Sequence, residues 1–282
     1  MNEELLKEYG PDKELQDDAS QKDPGRMSLI FDSHAHYDDK AFDEDRDELL
    51  SSLAENGVGY VVDVSAAPAD MEKVLDLAHR YDFVYASAGI HPSETPDFTD
   101  DNLLLVSNML ADEKCVAVGE IGLDYHYDDT CKPLQKQWFA AQIALAVKEK
   151  YPIIIHSRDA AADTLDIVKS ENARDAGGVV HCFSYEKEMA ARYLDLGFYI
   201  GIGGVLTFKN SRKLKEIAAY MPLDRILLET DCPYLAPHPF RGGRNDSTLI
   251  KYIVEELSGI KNIKPEEIIH ATTENACRMY GI

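Results

Sequence analysis

His34 and His36 stand two apart in the segment DSHAH, and at that spacing in an extended strand both imidazoles leave the same face and can chelate one ion. Glu120, in VAVGEIGLD, shares a predicted strand face with Val116 and Val118, so a carboxylate caps an apolar inward row. Burying it unpaired is expensive. His156 in IIIHSRDA, His181 in VVHCFS and Asp231 in ILLETDCP each follow a hydrophobic run in the same manner. One such residue alone reads as a satisfied structural side chain. Four imidazoles and two carboxylates placed alike suit a divalent cation such as Zn²⁺, Mn²⁺ or Mg²⁺. Six ligands exceed what one open catalytic ion takes, which predicts two ions: Glu120 bridging, His34, His36 and Asp231 completing one, His156 and His181 the other. Such a pair lowers the pKa of a shared water from about 15.7 toward about 7 and clamps the attacking and leaving oxygens. The predicted reaction is hydrolysis, with Glu120 and Asp231 as catalytic carboxylates and Asp231 as the candidate base.

Around these ligands the sequence offers residues to hold a substrate. Arg158, two past His156 on a predicted loop, can grip a phosphate bidentately, and Arg241 and Arg244 flank two glycines in a flexible basic loop. His91, beside Pro92, and His238, in APHPF, are further candidate donors to a phosphate oxygen. Asp32 and Glu229 each precede a ligand by two residues on its own face, as acceptors that orient imidazoles do. Cys182 and Cys232 directly follow ligands and so point to the opposite face, into the core. His79, His126 and His270 carry no comparable argument.

The elements that must position these residues are legible as short apolar runs alternating with longer stretches of helical period. Strands are predicted at 29–36, 60–65, 83–88, 116–120, 153–156, 178–182, 199–201 and 225–229. Helices are predicted at 43–56, 71–81, 100–111, 134–150, 160–172, 187–196 and 213–220, with two more at 248–257 and 265–280. Eight strand–helix units predict an α/β chain forming a single (β/α)₈ TIM barrel, whose catalytic residues sit at the carboxyl ends of the strands. An open doubly wound sheet is the alternative, but no glycine-rich dinucleotide or phosphate loop supports it.

The length of 282 residues fits one such barrel and is short for two large domains. Residues 1–26 hold eight acids, four bases and the breakers Gly10, Pro11, Pro24 and Gly25, so they are expected to be a solvated acidic extension before a barrel domain at 27–282. Lys and Arg number 29 against 51 Asp and Glu, a formal charge of −22, which repels phosphate backbones and anionic membranes and excludes a protein that coats duplex DNA. It does not exclude a nucleic-acid enzyme, because cations and a few arginines reverse the sign within one cleft. No apolar run reaches membrane-spanning length and the amino terminus lacks a secretory pattern, so a cytoplasmic protein without membrane association is expected. Five cysteines without a C-x-x-C pair suit reduced thiols.

From position 27 onward the chain resembles the TatD-type metal-dependent deoxyribonucleases, a family similar to the wider amidohydrolase barrels. The segments that carry the resemblance are DSHAH, AGIHPSE, GEIGLDY, IHSRDA, VHCFSYE, GIGGVLTFKN, LLETDCPYLAP, RGGRN and TTENACRMYG. It implies that His34, His36, Glu120, His156, His181 and Asp231 bind divalent metal. It further implies 3′-to-5′ exonuclease activity on DNA ends, preferentially single-stranded, and no stable protein partner is expected. Tyr185 stands where the family often has Gly, the loop RGGRNDS lacks a usual basic residue and proline, and the acidic extension has no counterpart. These departures bear on substrate preference, since both loops flank the site. The competing expectations are a barrel hydrolase of amides, lactones or small phosphoesters, and a metal-stabilised binding protein without turnover.

Overall fold

The structure, a computed structural model, describes residues 28–127 and 131–282; the acidic extension and Met27 lie outside the described residues. Eight strands form one parallel sheet in sequential order: β1 Ile30–Ala35, β2 Val58–Val64, β3 Val84–Ala88, β4 Cys115–Asp124, β5 Ile153–Arg158, β6 Gly178–Val180, β7 Tyr199–Ile202 and β8 Ile226–Leu228. The sheet curls until β1 meets the end of β8. There Asp231 N–H donates to His34 O at 2.9 Å and His36 N–H to Cys232 O at 2.8 Å. Helices fill the crossovers: α1 Arg46–Ser52, α2 Met71–Arg80, α3 Asp100–Met109, α4 Lys132–Glu149, α5 Ala161–Ser170, α6 Lys187–Asp195 and α7 Arg212–Tyr220, followed by α8 Ile250–Lys261 and α9 Pro265–Tyr280. This is the (β/α)₈ barrel expected from the alternation of runs. No helix among the described residues is long and apolar enough to cross a membrane.

Two apolar clusters hold it together. The larger lies between sheet and helices and takes residues such as Leu50, Val74, Val106, Phe139, Leu165 and Ile253. The other gathers Phe31, Tyr60, Val62, Val116, Ile154, Val179, Tyr199 and Leu227 from seven strands together with Ala276, Cys277 and Tyr280 of α9. Residues from so many strands can converge only in the lumen. Tyr280 stacks on Phe31 at 5.8 Å and donates to Ser33 O at 2.9 Å, so α9 plugs the amino-terminal end of the barrel. Pro265 occupies its first turn with Glu266 and Glu267, as a helix start favours, and Gly281 ends it at φ +73°.

Because side chains alternate along a strand, the lumen row fixes the opposite end of each strand. Ile154, Val179 and Leu227 are inward, and two residues on lie His156, His181 and Glu229. Alternation fails in β1 and β4, where the pairing register shifts between Asp32 and Ala35 and between Val118 and Ile121. The expectation that Val118 shares the inward face of Val116 and Glu120 is therefore corrected: Val118 packs in the outer cluster. Strand β4 also runs four residues past Glu120, and β5 ends on Arg158, which the sequence placed on a loop. Conversely β6 and β8 stop at Val180 and Leu228, leaving His181, Glu229 and Asp231 in the turns that follow.

Candidate metal centre

The six predicted ligands meet at the carboxyl end of the barrel around the buried Glu120 side chain. Its two oxygens face different partners. Oε1 lies 2.7 Å from His156 Nδ1 and 2.9 Å from His181 Nε2. Oε2 lies 3.5 Å from His34 Nε2 and 3.9 Å from His36 Nε2. Asp231 Oδ1 approaches the second pair from the other side, 3.5 Å from His36 Nε2 and 3.8 Å from His34 Nε2. Ligand atoms of His34, His36 and Glu120, and again those of Glu120, His156 and His181, cluster tightly enough to hold one cation each. So do those of His34, His181 and Asp231.

Close backbone approach makes this possible. A Cβ at Gly89 would fall 2.4 Å from the carbonyl carbon of Gly119, just before Glu120, so β3 can reach this part of β4 only with glycine. Gly201 on β7 likewise leaves the space that the Glu229 carboxylate fills, since a Cβ there would lie 2.3 Å from Glu229 Oε2.

The donor set calls for positive charge. Burial and the neighbouring His181 push His34 down to about 4, so it is a neutral donor at physiological pH. Burial works the same way on His36, but the hydrogen bond and charge of Asp231 and the charge of Glu120 outweigh it and hold the ring up to about 10. At His181 burial is outweighed by Glu120 and Glu229, and the ring stands at about 9. Glu120 and Asp231, despite burial, stay ionised below the usual carboxylate range because imidazoles surround them. Without a metal, protons on His36 and His181 balance the carboxylates. Divalent cations can replace those protons, because buried charges must be paired or ligated. Four nitrogens and two carboxylates of mixed softness fit zinc or manganese, and magnesium where carboxylate and water dominate.

Further groups set the rings. His36 Nδ1 donates to Val64 O at 2.8 Å, which turns Nε2 inward. His181 Nδ1 faces Glu229 Oε1 at 3.7 Å, while that oxygen accepts from Cys182 N–H at 2.5 Å. Asp32 touches no imidazole ring. It accepts from Thr230 N–H at 2.9 Å, Thr230 Oγ1 at 2.6 Å and Ser247 Oγ at 2.6 Å, and so holds the turn that carries Asp231 rather than a histidine ring. Asp124, which the sequence reading overlooked, sits with Oδ2 3.4 Å from His156 Nε2. The signal for it is a period-two continuation from Glu120 through Gly122 along the same strand. Cys232 packs in the outer core as expected, whereas Cys182 is only half-buried beside the acidic cluster. Burial and the charges of Asp231, Glu229 and Glu120 push its thiol well up.

Of the candidate substrate contacts, His91 lies nearest, its ring 4.4 Å from that of His156. Its Nδ1 accepts from Ser93 N–H at 3.1 Å, and burial with the charge of His156 pushes it down to about 3. A neutral ring whose Nδ1 accepts must carry its proton on Nε2. Arg158 and Arg241 are exposed, their guanidinium carbons 5.8 Å and 4.4 Å from the ring centres of Tyr127 and Phe208. Arg244 is committed elsewhere: it grips both oxygens of Asp45 at 2.7 and 2.6 Å and donates to Ala41 O. His238 is exposed, its backbone N–H bound to Thr207 Oγ1 at 2.8 Å.

A closed (β/α)₈ barrel with imidazoles and carboxylates gathered at its carboxyl end defines the class of metal-dependent barrel hydrolases. The family model described as TatD related DNase matches residues 31–281, and the chain belongs to the TatD family of metal-dependent hydrolases. It is 42% identical over 254 residues to YabD of Bacillus subtilis, named an uncharacterized metal-dependent hydrolase, covering 90% of this chain and all of that protein. YcfH of Escherichia coli K12, similarly named, is 38% identical over 257 residues, covering 90% and 96%. Among solved structures the TatD homologue YjjV of E. coli K12 superposes with a TM-score of 0.86 at 31% identity, over 91% of this chain and 99% of the other. A lactonase from Deinococcus radiodurans superposes with a TM-score of 0.65 at 15% identity over 91% and 97%, which is likeness of fold alone.

Proposed function

We propose that this hydrolase is a two-metal phosphodiesterase that shortens single-stranded DNA stepwise from its 3′ end. The observation that supports it best is the division of Glu120, with each oxygen facing its own pair of imidazoles. His34, His36 and Asp231 would hold one ion, His156 and His181 the other, and Glu120 both. Bound there, zinc, manganese or magnesium supplies Lewis acidity and an acidified water.

The protein's own groups do the rest. Asp231 remains a carboxylate at neutral pH and can take the proton of the attacking water on the oxygen not facing the rings. His91, locked as an Nε2–H donor, hydrogen-bonds a phosphate oxygen without adding charge. The exposed Arg158 and Arg241 meet the flanking phosphates and His238 is a lesser contact, whereas Arg244 stays with Asp45. The strong negative charge elsewhere keeps the footprint short.

The test pairs end-labelled oligonucleotides with amides, lactones and small phosphoesters, each with Mg²⁺, Mn²⁺ and Zn²⁺. Stepwise shortening from a free 3′ end, slower on blunt duplex, is expected. Asp231→Asn should slow it by at least about 10² while keeping much of its metal. Internal cutting of closed circular duplex without shortening, or turnover confined to amides or lactones, would replace the proposal.

A further inference from the structure

Several large apolar side chains among the described residues are exposed, among them Tyr127 at 57%, Tyr234 at 54%, Phe240 at 44% and Leu235 at 37%. Hydrolysis at the metal ligands uses none of them. Tyr234 is the best placed, three residues after Asp231 in the same turn, with its ring centre 6.4 Å from that of His36. It is fixed at two points: its N–H donates to Asp231 O at 2.9 Å, and its hydroxyl donates to Asp39 Oδ2 at 3.1 Å. A ring tethered at the backbone and at the hydroxyl has little freedom left to lose when a flat group settles on it.

Electrostatics selects the flat group. Asp39 and Asp231 flank the ring, and the chain carries −22 overall, so a phosphate against Tyr234 is disfavoured. An uncharged π-face is not. Every nucleobase offers one, and stacking of this sort is largely independent of sequence. We propose that the Tyr234 ring is the stacking platform for a base next to the scissile phosphodiester, so that base contact supplies affinity that a repelled backbone cannot. The inference rests on the phosphodiesterase reading above and adds the subsite that orients the strand.

Two measurements test it. The first compares kcat/KM on a single strand with that on the same strand carrying tetrahydrofuran in place of either of the last two bases. The wild-type ratio of intact to base-free substrate should fall about tenfold in Tyr234→Ala, the size of one lost stacked base, and be retained in Tyr234→Phe and Tyr234→Trp. An unchanged ratio in Tyr234→Ala overturns the platform. So does an equal fall in Tyr234→Phe, which would assign the effect to the hydroxyl's bond to Asp39. The second measurement follows 2-aminopurine fluorescence at the 3′ end of a phosphorothioate-linked strand mixed with metal-loaded protein. Quenching that disappears in Tyr234→Ala supports the platform even if no strand is ever cut, an outcome that would sink the nuclease reading alone. Absence of quenching with wild-type protein overturns the platform even if cleavage proceeds.

Discussion

At the scale of single residues, Glu120 has the least replaceable geometry. A carboxylate offers one oxygen to each of two cations, whereas an imidazole acceptor serves one. If the proposed two ions bind, Glu120→Gln is expected to lower bound metal from about two per chain to well under one, read by elemental analysis after growth with added metal. Full occupancy in that variant would remove the bridge. His36 and His181 give the second expectation. Their pKa values in the metal-free protein, about 10 and about 9, lie above the unfolded value of 6.5, so both are protonated at pH 7. The stability these protons contribute is complete below about pH 6.5 and is lost as pH rises through 9 to 10. Ligation requires neutral rings, so metal binding at pH 7 must expel protons and tighten with rising pH. Calorimetric titration in two buffers of different ionisation enthalpy measures the release. Zero protons released would show that the rings are already neutral.

At the scale of elements, the site depends on two irregular strands and on what is missing from others. Asp32 in β1 ties the turn after β8 through Thr230 and Ser247, and Tyr37 donates to Ser247 Oγ at 2.8 Å. The seam of the barrel and the placement of Asp231 are thus one hydrogen-bonded unit. On β7, Gly201 makes room for Glu229. Gly201→Ala would place a methyl group inside the contact distance of that carboxylate, and overpacking of this kind costs about 1–3 kcal/mol. A lower urea midpoint together with weakened metal binding is expected. Loss of stability with metal affinity intact would separate Glu229 from the orientation of His181.

At the scale of the whole molecule, charge and site pull in opposite directions. The net charge repels DNA, Arg244 is occupied by Asp45, and the phosphodiesterase reading leaves Arg158 and Arg241, both exposed, to meet phosphates. For two or three phosphate contacts on a single strand, log affinity should fall against log salt with a slope of about −1.4 to −2. Filter binding across a salt series reads the slope. A slope steeper than about −4 would demand a longer run of phosphate contacts and overturn the short footprint.

The barrel and the gathering of the six candidate side chains at one end were legible because they depend on local chemistry. Alternating apolar runs specify strand and helix, alternation by two places His156 and His181 inward after Ile154 and Val179, and burying an unpaired carboxylate is too costly for Glu120 to be idle. The tertiary structure decided everything that hangs on register and on contacts between distant segments. The shift in β4 broke the simple parity that put Val118 beside Glu120, and the strand runs on to Asp124. Asp32 holds Thr230, nearly two hundred residues away, and not a histidine ring, and Arg244 was claimed by Asp45 at a similar remove. Periodicity knows which face a side chain takes but not which partner closes the barrel beside it, because that choice is made by packing between strands and loops that meet only when the sheet is complete.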